Sequence, residues 1–253
     1  MIGLYDLSHS PTTFDFVVWC AIAKTHGVNH VRFCIDGRID TRKYDDVTGW
    51  RRFGNINAPI CRLFGLTFSM SEKRDGREFK YLYGHANQTY RAFGRIETIP
   101  LSAPRSDYIT ITLRESFRHS YRDSNKAAWL RVQKELESRG KRVFVIHDCE
   151  RAPMLIEDRM ALYAGAEMNL GVANGPMALC HYSAAPYITF NMAPVRPQGE
   201  TSYDCVKLMA SSGFMLGDQL LWRNERQLLV WEPDSFENIM EAYERMEAEA
   251  VHG

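Results

Sequence analysis

The chain has 253 residues, 45% hydrophobic and 25% charged, the balance of a soluble globular protein that can bury a core in one large domain or two small ones. Its 31 Lys and Arg against 31 Asp and Glu leave no net field to draw it to nucleic acid or an anionic membrane. No apolar run approaches the ~20 residues that span a bilayer, and the start lacks a basic segment leading into an apolar stretch, so a cytoplasmic location is expected. The six cysteines (Cys20, Cys34, Cys61, Cys149, Cys180 and Cys205) stand far apart, form no CxxC pair and lie mostly in apolar segments. They are expected to be reduced, packed thiols.

In chain order, residues 2–5 form a short apolar strand, residues 6–13 a polar turn and residues 14–24 a buried helix, with a second strand at 31–35. Strand, loop and helix in that order open a doubly wound α/β domain. Residues 45–64 carry Val47, Trp50, Phe53, Ile56, Ile60 and Leu63 at steps of three and four, a helical stripe interrupted by Gly49, Gly54 and Pro59. A strand is expected at 66–70, and residues 79–83 read as a short strand or the approach to a helix. The Pro-containing segment 103–107 is the expected boundary, giving domains of 1–105 and 106–253. Beyond it come a strand at 108–113, a helix at 125–139 stopped by Gly140, a strand at 143–146 and a helix ending near Ala164. Strands at 168–172 and 187–190 then flank a helix at 177–184. That alternation predicts a parallel sheet with right-handed crossovers. Asp234-Ser235-Phe236-Glu237 reads as a capping box opening a final helix with Phe236, Ile239, Met240, Tyr243 and Met246 on one stripe.

In a parallel sheet the ligand side is the row of loops after the strands. Three such loops carry candidate residues. Arg114, Arg118 and Arg122, spaced by four, suit bidentate recognition of phosphate oxygens, or form a solvated basic loop. Asp148 and Glu150 end the next strand, where a carboxylate can accept hydrogen bonds from ribose hydroxyls or simply cap a helix. Asn174, Gly175, Pro176 and Met177 form a tight turn from strand to helix. Either this is an ordinary tight strand-to-helix turn, or the amides of Gly175, Met177 and Ala178 hold a diphosphate there, with Asn174 on the sugar or a phosphate. No Asp-x-Asp, GxGxxG, Walker lysine loop or HExxH is present, which disfavours a metal-dependent GT-A transferase, a nicotinamide dehydrogenase, a P-loop NTPase and a zincin.

The run Leu170-Gly171-Val172-Ala173-Asn174-Gly175-Pro176-Met177-Ala178-Leu179, followed by Ser183-Ala184-Ala185-Pro186-Tyr187-Ile188-Thr189-Phe190, resembles the donor-site signature of GT-B glycosyltransferases of the ADP-heptose:lipopolysaccharide heptosyltransferase type, glycosyltransferase family 9. The turn here is shorter than the family's, without the Asp/Thr-Ser pair before Gly-Pro. The resemblance implies an α/β fold of two Rossmann-like domains facing a cleft, with a C-terminal helix crossing back over it. It implies a nucleotide-sugar donor on the second domain, and a glycan or other hydroxyl acceptor on the first. Metal and cofactor are expected to play no part, and homo-oligomerisation stays open. In such enzymes an Asp at the start of the first helix is the base, which points to Asp15, with Asp6 and His9 in the same loop as substitutes. The function expected is glycosyl transfer, in bacterial surface glycan synthesis. The alternatives are a non-catalytic nucleotide- or glycan-binding module, and a sugar-nucleotide epimerase or hydrolase.

Overall fold

The computed structural model describes residues 1–10, 12–35, 46–101, 104–116, 120–148, 154–194 and 204–252. The chain divides into two compact units, Met1–Pro100 with Leu155–Glu157, and Leu101–Met154 with Asp158–Gly253. Of the candidate residues, Arg118 and Glu150 lie outside the described residues.

Unit 1 runs β1 (Ile2–Asp6), α1 (Asp15–Thr25), β2 (His30–Cys34), α2 (Asp46–Arg52), α3 (Ala58–Leu63), β3 (Thr67–Ser71), β4 (Arg77–Glu78) and α4 (Tyr83–Phe93). The four strands among its described residues are parallel in the order β3-β2-β1-β4. Buried on nearly every side, α1 packs Phe16 and Trp19 with Tyr5 and Phe33 of the sheet into one aromatic cluster. Each large side chain so buried stabilises the fold by about 1.5–3 kcal/mol.

The helix read across 45–64 is in fact α2, a wide π-turn at Phe53–Asn57, and α3. Pro59 has no N–H to give to the carbonyl four residues back, and the ladder widens before it: the Ala58 N–H bonds the Phe53 carbonyl. Residues 79–83, read as a short strand or the approach to a helix, lead into α4, which is made of weak helix formers such as Gly84, Asn87 and Thr89 and closed by Gly94 in the left-handed conformation (φ 67°).

Unit 2 runs β5 (Tyr108–Arg114), α5 (Lys126–Ser138), β6 (Arg142–Asp148), α6 (Ile156–Gly165), β7 (Met168–Val172), α7 (Ala178–His181), β8 (Tyr187–Phe190), α8 (Cys205–Ala210), β9 (Gln227–Leu229) and α9 (Phe236–His252). The five strands among its described residues are all parallel, in the order β6-β5-β7-β8-β9. The Asn125 side chain caps α5 by accepting from the Ala128 N–H at 3.2 Å. Trp129, Val132 and Leu136 of α5 are buried with Ile109, Ile111, Leu170 and Phe190 of the sheet.

The final helix, expected to cross back over a cleft, is built into the core of unit 2. Its stripe of Ile239, Met240, Tyr243 and Met246 is buried with Trp129 and Phe190. The anticipated capping box is divided: the Ser235 hydroxyl accepts from Asn238 N–H at 3.1 Å, while the Asp234 carboxylate accepts from Asn125 N–H at 2.8 Å and Trp129 Nε1–H at 2.7 Å. Asp234 thereby ties the start of α9 to the start of α5, although burial raises its carboxyl pKa against the pull of those donors. Asp234→Ala strands a buried indole N–H and an amide, and is expected to cost about 2–4 kcal/mol in chemical denaturation. In Asp234→Asn one carbonyl oxygen can still accept both donors, so most of that loss should be absent. Equal losses in the two variants would show that the hydrogen bonds are not what matters.

Among the described residues, no helix is long and apolar enough to cross a membrane. The five described cysteines (Cys20, Cys34, Cys61, Cys180 and Cys205) are buried thiols.

Candidate functional site

Among the described residues, unit 2 has a single reversal of strand order. After β5 the chain lays β6 on one side of it, then β7, β8 and β9 on the other. At such a reversal, the loops leaving the two central strands part and open a crevice at their carboxyl ends. Here those are the loop after β5 and the turn after β7.

The loop after β5 folds tightly on itself. Arg114 N–H donates to Ser124 Oγ (2.8 Å), Ser124 N–H donates to the Arg114 carbonyl (3.1 Å), and Ser116 N–H donates to Asp123 Oδ1 (3.0 Å). Asp123 Oδ1 also lies 3.4 Å from Arg114 Nε. Arg122 Nη2 donates to the carbonyl of Ala173 at 3.3 Å, joining this loop to the turn after β7 across the reversal. Burial and then the charge of Arg122 push the Arg114 guanidinium below its ordinary pKa, with Asp123 and Asp148 pulling the other way.

Asp148 ends β6, and Arg159 Nη2 of α6 stands 3.3 Å from its Oδ1. The carboxyl edge therefore gathers three guanidinium groups, Arg114, Arg122 and Arg159, against the carboxylates of Asp123 and Asp148. Glu115 beside them is taken up by Lys126 (2.8 Å) and His147 (3.0 Å), and the lysine chiefly holds its pKa low. Planar guanidinium groups at a strand-order reversal are suited to a phosphate-bearing ligand.

The turn after β7 differs from expectation. Met177 N–H donates to Asn174 Oδ1 at 3.0 Å and Ala178 N–H to the Gly175 carbonyl at 3.0 Å, so two of the three amides assigned to a diphosphate are used within the turn. The helix beyond it is only Ala178–His181, too short to bring a dipole of consequence. Met177 is fully buried and packs on Gly171, where a Cβ would come within 3.1 Å of its sulfur and within 3.1 Å of the Thr112 carbonyl. Met177 and Pro176 shape the turn, then, while Gly175 N–H and the buried Asn174 Nδ2 remain as its donors; the latter has no hydrogen-bond partner.

In unit 1 the order reverses between β1 and β4, and the loop after β1 carries the other candidates. Asp6 is buried, accepts from Ser8 N–H at 2.9 Å and pairs with Arg74 Nη1 at 2.7 Å. His9 is exposed, with its amide on the Asp6 carbonyl at 3.2 Å. Asp15 is exposed at the first position of α1 and accepts from the Thr13 hydroxyl at 2.8 Å. All three thus sit on one loop and the helix turn that follows it.

Sequence reasoning did not single out Arg159, Arg74 or Thr12. Thr12 is buried with its carbonyl accepting from Arg52 Nε at 3.0 Å and its hydroxyl unpartnered. The one signal for Arg159 was a cation on an otherwise apolar helical stripe. Among the described residues no three His, Cys, Asp or Glu side chains come together to hold a metal.

No family model matches the chain, and no curated protein matches it in sequence. Two solved structures resemble it over nearly its whole length. One is the bacterial iron-containing dodecameric glycosyltransferase TibC from enterotoxigenic E. coli H10407, at 14% identity and a TM-score of 0.54, covering 98% of this chain and 76% of that one. The other is the dodecameric iron-containing heptosyltransferase TibC in complex with ADP-D-beta-D-heptose, again 14% identical with a TM-score of 0.54, covering 100% and 78%. At that identity the likeness is one of fold: a two-unit α/β architecture shared with a heptosyltransferase.

Proposed function

We propose that this chain is a GT-B-type glycosyltransferase that moves a sugar from a nucleotide-sugar donor, bound at the carboxyl edge of unit 2, to a hydroxyl acceptor. The observation that carries the reading is the cluster of Arg114, Arg122 and Arg159 at the strand-order reversal, on a fold shared with a heptosyltransferase. In the reaction, the bond from the sugar's anomeric carbon to the diphosphate oxygen breaks with its electrons on the diphosphate. The acceptor oxygen bonds to that carbon and gives its proton to a base, for which Asp15 stands first, with Asp6 and His9 behind it. Arg114, Arg122, the Gly175 amide and Asn174 would stabilise the charge on the leaving diphosphate in place of a metal ion. The finer assignments, hexosyl or heptosyl transfer in bacterial surface glycan synthesis within the cytoplasm, belong to the same proposal, as does assembly into a homo-oligomer.

A thermal-shift panel of UDP, GDP, ADP, CMP and dTDP, with and without Mg²⁺, tests the donor site. A ligand at 100 times its Kd stabilises the native state by about 2.7 kcal/mol, so one nucleotide should raise Tm equally with and without metal. Arg114→Ala is expected to weaken that nucleotide about 10–100-fold through loss of a charge-assisted contact. A shift that requires Mg²⁺ would overturn metal independence.

The closed turn after β7 favours a second reading, a non-catalytic module that binds a nucleotide or glycan, because Met177 and Ala178 already spend their amides inside it. If no nucleotide shifts the transition, the donor-site reading fails and glycan binding alone should be pursued. An epimerase or hydrolase would instead consume the donor without any acceptor.

A further inference from the structure

We propose that Asn57 and Thr12 form a subsite of unit 1 that binds the hydroxyls of a sugar, beside the loop and helix turn that carry Asp15. The proposal rests on the reading of unit 1 as the acceptor side and adds to it the residues by which a hydroxyl-bearing sugar is recognised.

Helix α1, which follows β1, and the run from α2 to α3, which follows β2 and leads into β3, both descend from the carboxyl edge of the parallel sheet to its amino edge. They run in the same direction, and two contacts fix their register. Arg52 Nε at the end of α2 donates to the Thr12 carbonyl at 3.0 Å, and lower down the Cys20 thiol of α1 hydrogen-bonds the Cys61 thiol of α3. Asn57 stands one turn above Cys61 on the same helical face, as Phe16 stands one turn above Cys20. Asn57 therefore faces the first turn of α1, one wide turn below the contact of Arg52 with Thr12. Asn57 and Thr12 are fully buried, and Thr12 Oγ1, Asn57 Oδ1 and Asn57 Nδ2 have no hydrogen-bond partner. Among the described residues, Asn57 is the one side chain whose donor and acceptor are both left without a partner.

As parts of a fold these three atoms are a cost. Each gives up its hydrogen bonds to water and gains none, and Leu and Val would fill the same space without that loss. What an amide and a hydroxyl supply together is recognition. Asn57 can accept from one hydroxyl and donate to the next, as the neighbouring hydroxyls of a sugar ring require, and Thr12 can do either. A sugar enters only if the seam between the helices parts, and the π-turn Phe53–Asn57 is where it can give. The ladder there is already widened, and Pro59 has no N–H with which to close it. On the outside of the turn, Gly54 has no atom within 4 Å of where a Cβ would stand. Turns of this kind recur at functional sites. Asp15, at the first position of α1, lies at the carboxyl-edge end of the same seam.

The test is an NMR titration of the full chain, observing the asparagine side-chain amides, with the methyl glycosides of glucose, galactose, mannose and rhamnose. The Asn57 signal is identified by its absence from Asn57→Leu. One glycoside is expected to shift that signal, and to bind about tenfold more weakly to Asn57→Leu and to Thr12→Val, the loss expected of a site built for a hydroxyl. In the absence of sugar, the urea midpoints of both variants should equal or exceed that of wild type, since each removes an unsatisfied buried group. A fall in both midpoints would mean that an ordered water satisfies these atoms for the sake of the fold, and overturns the proposal. A glycoside whose affinity survives both substitutions overturns it too, as does a panel that leaves the Asn57 signal unmoved. Should one variant fail to fold, the other and the wild-type signal carry the same comparison. Nucleotide binding without any glycoside effect removes the subsite and leaves the donor site standing. A glycoside that shifts Asn57 in a chain no nucleotide stabilises keeps the subsite and removes the transferase reading.

Discussion

Replacing Asp15 with Asn is expected to lower the rate of glycosyl transfer by ~10²–10⁴-fold, the contribution of a well-placed general base, with nucleotide affinity unchanged. Three features single Asp15 out from the two other acid–base candidates on its loop. It is exposed at the start of α1, where an acceptor hydroxyl can reach it, and the Thr13 hydroxyl donates to its Oδ2 at 2.8 Å. Asp6 is buried and held by Arg74 at 2.7 Å and by the Ser8 amide, out of reach of an acceptor. His9 is tied to the loop through its backbone, with its side chain at the surface. Because Asp15 also faces the positive end of α1, Asp15→Asn should cost stability by no more than about 1 kcal/mol. The measurement is nucleoside diphosphate released from the donor of the nucleotide that binds, in the presence of hydroxyl acceptors, for Asp15→Asn, Asp6→Asn and His9→Gln. An Asp15→Asn enzyme within about threefold of wild type would move the base elsewhere, and a large effect in Asp6→Asn with intact folding would name its place.

How much of this was legible in the sequence follows from which forces built each part. The β/α alternation from Tyr108 to Phe190 could be read because each strand is a run of β-branched and apolar residues and each helix has its own stop, Gly140 being the plainest. The strand β9 is three residues long and pairs with β8 alone, so it exists by tertiary pairing and leaves no period to detect. The helix α4 is similar, its weak formers held by packing against α1. The stripe of α9 was read correctly, but an apolar stripe does not say what it faces; the Trp129 indole on Asp234 settles that it faces α5. At the site, Arg114 and Arg122 were visible as loop cations after a strand. Arg159 was not, because a cation on a helix ordinarily marks the solvent face. The turn after β7 was overread: Gly-Pro signals a strand-to-helix turn, but only coordinates show that Asn174 caps it and uses the Met177 amide.

His181 is expected to make the chain acid-sensitive well before its carboxylates protonate. It is 1% exposed between α7 and β8, with Nε2 2.9 Å from Thr189 Oγ1, its ring against Tyr187 and its carbonyl taken by the Trp222 indole at 2.9 Å. Burial pushes its pKa down to about 3 from an ordinary 6.5. The sign follows directly. Above pH 6.5 the imidazole is neutral in both states and favours neither. Between 6.5 and about 3 the unfolded chain takes up a proton that the folded chain refuses, so stability falls with pH through that window. Each unit below 6.5 removes up to about 1.4 kcal/mol, on the order of 2 kcal/mol by pH 5. Denaturant midpoints measured from pH 7.5 to 4.5 should therefore drop more steeply for wild type than for His181→Gln, whose amide can still meet Thr189 and does not titrate. The carboxylates are common to both proteins and cancel in the difference. Parallel curves would mean that the unit opens enough to hydrate His181 before it unfolds, and the ring would then titrate near its ordinary value in the native state, a shift that the imidazole carbon resonances would report.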